Sequence, residues 1–326
     1  MNIGTKYLGL DIQSPIVAAS CGLTSNLENL KALEGFGVGA VVLKSIFEEE
    51  IIFDIKRNTH IIAPVNNYGV SYDYISQHVS DNSMRNYLNF IGEAKRALSI
   101  PVVSSIHCYS YENWVTYAKL FQDAGCDALE INMSILPYEV SLSADDVDRT
   151  FGDIVRTLKK VTTMPIAVKV SPYFTDAAKF MQQLSWMGIQ GITMFNKSML
   201  VDIDIDSQTM LYDKQFSAPS DIYNTLRWVS ILSKQLRCGI SASTGVYYPE
   251  DVVKLLLAGA ETVQVASCLY KNGLEYMRQL NDGLVQWMQS NGYDSLDQFR
   301  GKLAMKGGEK NSLLMRTQFM DHYDDV

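Results

Sequence analysis

Cysteine is scarce and unpaired in this sequence: five residues, at positions 21, 108, 126, 238 and 268, with no Cys-x-x-Cys step and no metal-ligand spacing. That pattern excludes a disulfide scaffold, and it predicts reduced thiols packed as small core residues with no metal site. Long apolar runs are missing too. Nothing approaches the ~20 residues a transmembrane helix needs, and the opening MNIGTKYLGLD lacks the charged-then-apolar plan of a secretion signal. The expectation is a cytoplasmic protein with no membrane segment. Positive charge is in deficit, 28 Lys and Arg against 36 Asp and Glu, and the net −8 argues against a nucleic-acid or anionic-membrane surface. Internal repeats, low-complexity tracts and linkers are absent, so residues 1–326 read as a single domain. What is present suffices for a large core: 47% of residues are hydrophobic and 20% charged.

Short apolar segments alternate with longer helical patterns, the plan of a parallel sheet covered by helices. Eight strands are expected, at 17–20, 40–44, 102–105, 128–133, 166–170, 191–195, 239–243 and 262–265. Helices are expected between them at 26–35, 87–98, 114–123, 145–161, 176–187, 221–236 and 249–257. Pro15, Pro101 and Pro165 precede strands one, three and five and bias the preceding residue to extended backbone. The fold class is therefore α/β, a TIM (β/α)8 barrel, for which this length is ordinary. Insertions at 46–83, 135–144 and 198–220 follow strands two, four and six, which sets them over the C-terminal face, where barrel enzymes keep their chemistry. The third, with VDIDIDSQTMLYDKQF, has the pattern of a small hairpin, and its alternating Asp202, Asp204 and Asp206 read as a solvated strand edge.

The stretch 241–273, SASTGVYYPEDVVKLLLAGAETVQVASCLYKNG, places small-residue turns after strands seven and eight. In a barrel those turns make a phosphate site from free backbone N–H groups and a helix N-terminus. Strand parity sorts the remaining candidates. Lys44 shares a face with Ala40 and Val42, Lys169 with Ala167, and Glu130 with Asn132 and Ser134, while Asn196 closes strand six. Two lysines and two asparagines thus gather near strand C-termini. A buried lysine requires an anionic partner, which a bound anion or electron-rich ring would supply; a rim lysine that snorkels to solvent is the alternative for each.

At these residues the chain resembles the dihydroorotate dehydrogenase family, in particular its soluble FMN-containing class. The similarity runs over nearly the whole length and is densest at IVAAS, VLKS, NNYGV, EINMS, AVKVSPYF, the STG-to-VQVAS region and the tail GYDSLDQFRGKL. The resemblance implies an FMN-dependent dehydrogenase of pyrimidine metabolism acting on a CH–CH bond, with hydride passing between a dihydroorotate-like small-molecule substrate and flavin N5. It implies FMN phosphate near Thr244, Gly245, Ala266 and Ser267. The ring would rest on Ala19 and Ser20, with Lys44, Ser45, Asn132, Lys169 and Asn196 around it. Lys169 then supports the reduced ring as a fixed cation. Lys44, Asn66, Asn132 and Asn196 match positions that hold a planar carboxylated pyrimidine, for which amides offer both donor and acceptor. A homodimer packed through the strand-six insertion is also implied. Without a cysteine cluster or an N-terminal amphipathic extension, the electron acceptor is fumarate or a partner subunit that relays electrons to or from NAD.

The chain departs from the family pattern after strand four. Family members carry a proton-abstracting cysteine and Pro-Asn there; this sequence reads Asn132-Met133-Ser134-Ile135-Leu136-Pro137. Isoleucine cannot accept a proton, and general-base catalysis is worth ~10²–10⁴-fold. Lys197 replaces a small hydroxyl residue and adds a cation to the pocket. His107, beside Cys108 at the end of strand three, is the candidate replacement base; a histidine bonded to loop backbone is the competing reading. Ser134, Glu139 and Ser141 read as loop residues and Ser143 as a helix N-cap. Two other functions fit the same residues: a Schiff-base lyase with Lys169 as nucleophile, and a flavin-binding protein without dihydroorotate turnover.

Overall fold

The computed structural model describes residues 1–48, 51, 83–107, 111–133, 143–197, 201–211 and 216–305. Eight parallel strands close into a ring: Ile16–Ala18, Ala40–Val42, Val102–His107, Ala128–Asn132, Ile166–Val170, Gly191–Met194, Gly239–Ser243 and Thr262–Val265, with the last pairing back onto the first. These are the eight expected strands, and helices cover their outer face. The entry prolines cost the ladder nothing. Each sits where a donor is not needed, and its carbonyl accepts from the neighbouring strand: Val263 N–H to Pro15 at 2.8 Å, Val41 to Pro101 at 3.1 Å and Leu129 to Pro165 at 3.0 Å.

Helix starts follow local chemistry. Asn26 accepts from the N–H groups of Glu28 and Asn29 ahead of the helix Leu27–Gly35. Ser143 accepts from Asp146 N–H in a reciprocal capping box ahead of Ala144–Val161, as the sequence predicts. The helix expected at 221–236 is shorter, Ile222–Leu232. Between strand six and that helix, Asp202–Asp204 pairs antiparallel with Thr209–Leu211, the expected hairpin.

Strand parity divides the interior. Ile166, Val168 and Val170 pack outward against helices in the main core, whereas Val17, Ala40, Val42, Val103, Ala128 and Ala167 form a separate cluster inside the ring. The floor of that ring holds an element the sequence pattern did not announce. Thr5–Tyr7 and Leu10–Ile12 form an antiparallel hairpin whose Tyr7, Leu8 and Ile12 plug the barrel. Leu8 and Gly9 turn with φ of 54° and 84°, so the signal was a glycine flanked by alternating residues in KYLGLDI. The plug needs room: a Cβ on Gly191 would stand 2.5 Å from Leu8 Cδ2. With the floor sealed, the charged groups Glu130 and Lys169 lie above the plug, toward the mouth.

Candidate active site

The upper layer centres on a buried carboxylate. Glu130, fully buried on strand four, accepts through Oε2 from Thr193 Oγ1 and from Gln264 Nε2, each at 2.8 Å. Gln264 Nε2 also lies 3.1 Å from Tyr7 Oη and 3.3 Å from Thr193 Oγ1. Burial, with the Glu130 charge as a further contributor, pushes the Tyr7 hydroxyl far above its ordinary pKa. The other carboxylate oxygen, Oε1, makes no hydrogen bond among the described residues and faces Lys169 Nζ at 3.7 Å. Lys169 is 6% exposed. The counter-charge that the sequence reading assigned to a ligand is thus present in the protein, on the neighbouring strand.

Above this layer lies a cleft holding about 870 Å³ of empty space, part of it open to solvent. Its walls bring together Ala19, Ser20, Lys169, Asn196, Thr244, Gly245, Ala266 and Ser267 from five different strand ends. The turn after strand seven has Thr244 and Gly245 at φ of 80° and 81°. A side chain at Gly245 would collide with the backbone, since its Cβ would stand 2.1 Å from Ile222 N. The backbone N–H groups of Thr244, Gly245 and Ser267 have no backbone carbonyl partner among the described residues. Such a turn, with no side chain at Gly245, the Thr244 hydroxyl donated to Phe195 O at 2.8 Å and backbone donors to spare, suits an anionic oxygen cluster. Ser267 Oγ further accepts from Ser217 N–H at 3.1 Å and Ser217 Oγ–H at 3.0 Å, and the Tyr247 hydroxyl donates to Ser217 O, so the segment after the hairpin is tied down beside the cradle.

The other candidates stand around the rim. Ser45 is buried and ties strand two to one and three: its N–H donates to Ser20 Oγ at 2.8 Å and its hydroxyl meets Ser105 Oγ at 2.7 Å. Asn196 Nδ2 donates to Asn132 Oδ1 at 3.1 Å, which links strands six and four across the mouth. Lys44 is exposed, two residues past the end of strand two at Val42, which is the rim alternative to burial. His107 Nδ1 lies 2.7 Å from the carbonyl of Asn132. Because a carbonyl only accepts, Nδ1 carries the proton, and Nε2 makes no hydrogen bond among the described residues. Both readings of His107 are therefore compatible with one geometry. Lys197 lines the cleft and pairs with Asp221 at 3.3 Å. Asn66, Cys108, Ser134, Ile135, Pro137, Glu139 and Ser141 lie outside the described residues.

Parity reasoning missed Gln264, although it alternates with Thr262 on the inner face of a strand otherwise read only for its turn. It also missed Cys21, Phe216 and Tyr270 on the cleft wall. Phe216 and Tyr270 pack with ring centroids 5.0 Å apart, a contact between segments 54 positions apart that no local pattern encodes. Burial raises the Cys21 thiol pKa. Among the described residues no group of acidic, histidine or cysteine side chains has the geometry of a metal site, and no helix is long and apolar enough to cross a membrane.

Comparison with known proteins accords with this architecture. The family model for dihydroorotate dehydrogenase matches residues 2–288. Among curated relatives, the protein named dihydroorotate dehydrogenase B (NAD(+)), catalytic subunit, from Thermoplasma acidophilum is 26% identical over 308 residues, 92% of this chain and 98% of that protein. The proteins of the same name from Pyrococcus horikoshii and Pyrococcus furiosus are 25% and 26% identical, covering 92% and 94% of this chain and 97% and 100% of their own lengths. With a closed barrel, a phosphate-type cradle at strands seven and eight, and a family match over most of its length, this chain belongs to the dihydroorotate dehydrogenase family, a family of CH–CH oxidoreductases.

Proposed function

We propose that the protein is an FMN-dependent dehydrogenase that oxidises a small planar substrate of the dihydropyrimidine type. One observation carries this reading: a sealed barrel presents in one cleft a buried Lys169 and a donor-rich turn at Thr244-Gly245. The residues fit FMN on their own chemistry. The cradle offers a phosphate the backbone N–H groups of Thr244, Gly245 and Ser267, which have no backbone partner among the described residues, Lys169 supplies a cation for the ring edge that becomes anionic on reduction, and Gln264 Oε1 is a buried acceptor without a partner among the described residues. FMN, when bound, supplies a hydride acceptor at N5.

The chain's own groups then do the rest. Ala19 and Ser20 bed the ring, the Asn132–Asn196 pair and Lys44 orient the substrate with Asn66, and His107 takes the substrate proton at Nε2 while the Asn132 carbonyl holds its ring. A Schiff-base role for Lys169 is less well served. A nucleophilic amine attacks uncharged, and Glu130 at 3.7 Å is the natural partner of an ammonium.

In this reading the whole chain, 1–326, acts as one FMN-binding domain in the cytoplasm. The relatives are named catalytic subunits of an NAD(+)-type enzyme, which favours a partner subunit as the electron outlet over a soluble acceptor such as fumarate. The hairpin exposes Val201, Ile203, Ile205 and Met210 beside Tyr223, each more than half exposed; an apolar patch of this kind suits a subunit contact, here a homodimer. Replacing both Ile203 and Ile205 with Asp should shift the sedimenting species from dimer to monomer, and an unchanged sedimentation coefficient would refute that contact.

The function is tested by purifying the protein, identifying its chromophore, and adding dihydropyrimidines anaerobically. Bleaching of the flavin band by dihydroorotate or a relative supports the reading. A yellow protein bleached by none of them is a flavoprotein without this turnover, and a colourless one that borohydride traps with its substrate is a lyase. If dihydroorotate is the substrate, Ile135→Cys should raise its oxidation rate at least tenfold; a flat or reduced rate would show that the base stands elsewhere.

A further inference from the structure

Glu130 has a place in the site that no function described so far requires. It is a fully buried carboxylate, one oxygen fixed by two 2.8 Å hydrogen bonds and the other turned to Lys169 without a hydrogen bond among the described residues. The 3.7 Å separation is an ion pair, longer than the ~2.8 Å of a charge-assisted hydrogen bond. Two features of that distance matter. Thr193 and Gln264 hold Oε2 with two hydrogen bonds and so restrain the carboxylate from closing on the lysine. Lys169 Nζ, in turn, makes no side-chain hydrogen bond among the described residues, so its donors remain available to whatever fills the cleft it lines.

Resting on the FMN reading above, we propose that Glu130 is a positioning residue that sets the reduction potential of the bound flavin by tempering the charge of Lys169. A lone buried cation beside the ring would favour the reduced form strongly. A carboxylate 3.7 Å behind it withdraws part of that field, and the Thr193–Gln264 clamp decides how much. Loosening the clamp lets Glu130 close on Lys169 and weakens the field further. Neutralising Glu130 releases the full positive charge to the ring. The two changes therefore move the potential in opposite directions, a signature that loss of packing alone does not produce.

The experiment is a spectroelectrochemical titration of the FMN-loaded protein and its variants. Glu130→Gln should raise the two-electron midpoint potential, shifting the equilibrium at least tenfold toward reduced flavin, which is ~30 mV. Thr193→Val, which keeps the carboxylate and removes one of its donors, should lower the potential by a smaller amount. In a Lys169→Gln background the effect of Glu130→Gln should shrink by half or more, because the influence passes through the lysine. An unchanged potential in Glu130→Gln overturns the proposal, as does an equal shift with Lys169 absent. If Glu130→Gln fails to fold, Thr193→Val decides alone, and a potential equal to or above wild type overturns the proposal. A well-folded protein that takes up no FMN defeats the flavin reading and this one together, whereas bound flavin with an insensitive potential defeats this one only.

Discussion

The two halves of the barrel mouth are built in different ways. Strands seven, eight and one end in short turns, and there the cleft is assembled from backbone and small residues: Thr244, Gly245, Ala266, Ser267, Ala19 and Ser20. Strands two, four and six carry long insertions, and the tips of strands two, three and four present functional side chains at the rim: an exposed Lys44, a half-buried His107 and Asn132. Lys169, on strand five, stands between the halves and is bound to the second by Glu130. The first half suits a constant ligand portion such as a phosphate, whose recognition asks only for donors and space. The second suits the variable portion, since loop side chains can change without touching the cradle. The departures from the family pattern obey this division: Ile135 and Pro137 fall after strand four and Lys197 after strand six, while the cradle retains its small residues.

This division can be broken experimentally. Gly245→Val should be the most damaging single change, because a side chain there meets Ile222 N at 2.1 Å and the backbone has a left-handed φ. A loss of ~2–4 kcal/mol in denaturant unfolding is expected, together with loss of FMN uptake read from the absorbance of the purified protein. Retention of flavin would show that the cradle is not where the phosphate sits.

A contrast between the lysines sharpens the comparison. Lys169→Met strands the buried Glu130 carboxylate and should destabilise the fold by ~3 kcal/mol. Lys44→Met, at an exposed rim, should stay within ~0.5 kcal/mol of wild type while substrate turnover falls. Equal stability losses would mean that Lys44 also has a structural partner.

A further effect is on pH. Burial pushes the Cys126 thiol up to about 11 and the Cys238 and Cys268 thiols up to about 12. In the unfolded chain these thiols ionise near ~8.5. Below that pH both states hold the proton and the stabilisation is complete. Above it the unfolded state alone releases protons, so stability falls as pH rises, by about 1.4 kcal/mol per thiol per pH unit at most. The urea midpoint should drop between pH 8 and pH 10, and Cys268→Ala should flatten that slope. A slope that is unaltered would place the alkaline loss on other groups.

Much of the barrel was legible in the order of residues. Periodicity, entry prolines and capping residues report on backbone within a few positions, and these located eight strands, the hairpin after strand six and the Ser143 cap. Small residues after strands seven and eight likewise marked the cradle, because a tight turn near an anion restricts the chain locally. Lys169 could be read as facing inward from its alternation with Ile166, Val168 and Val170.

What the alternation left open was its partner. Glu130 and Lys169 are 39 positions apart, and Gln264 and Tyr7 are separated by 257 positions. A carboxylate in EINMS is compatible with solvent, a ligand or a lysine until adjacent strands fall into register, which pairs Glu130 with Ala167 and Asn132 with Lys169. The same holds for the plug of Tyr7 and Leu8 and for the Phe216–Tyr270 wall. Local sequence determined which residues face inward and where the chain turns, since those depend on backbone geometry and nearest neighbours. Only ring closure decided which charges meet, because the energy of an ion pair depends on distance and burial, and neither exists before the eighth strand finds the first.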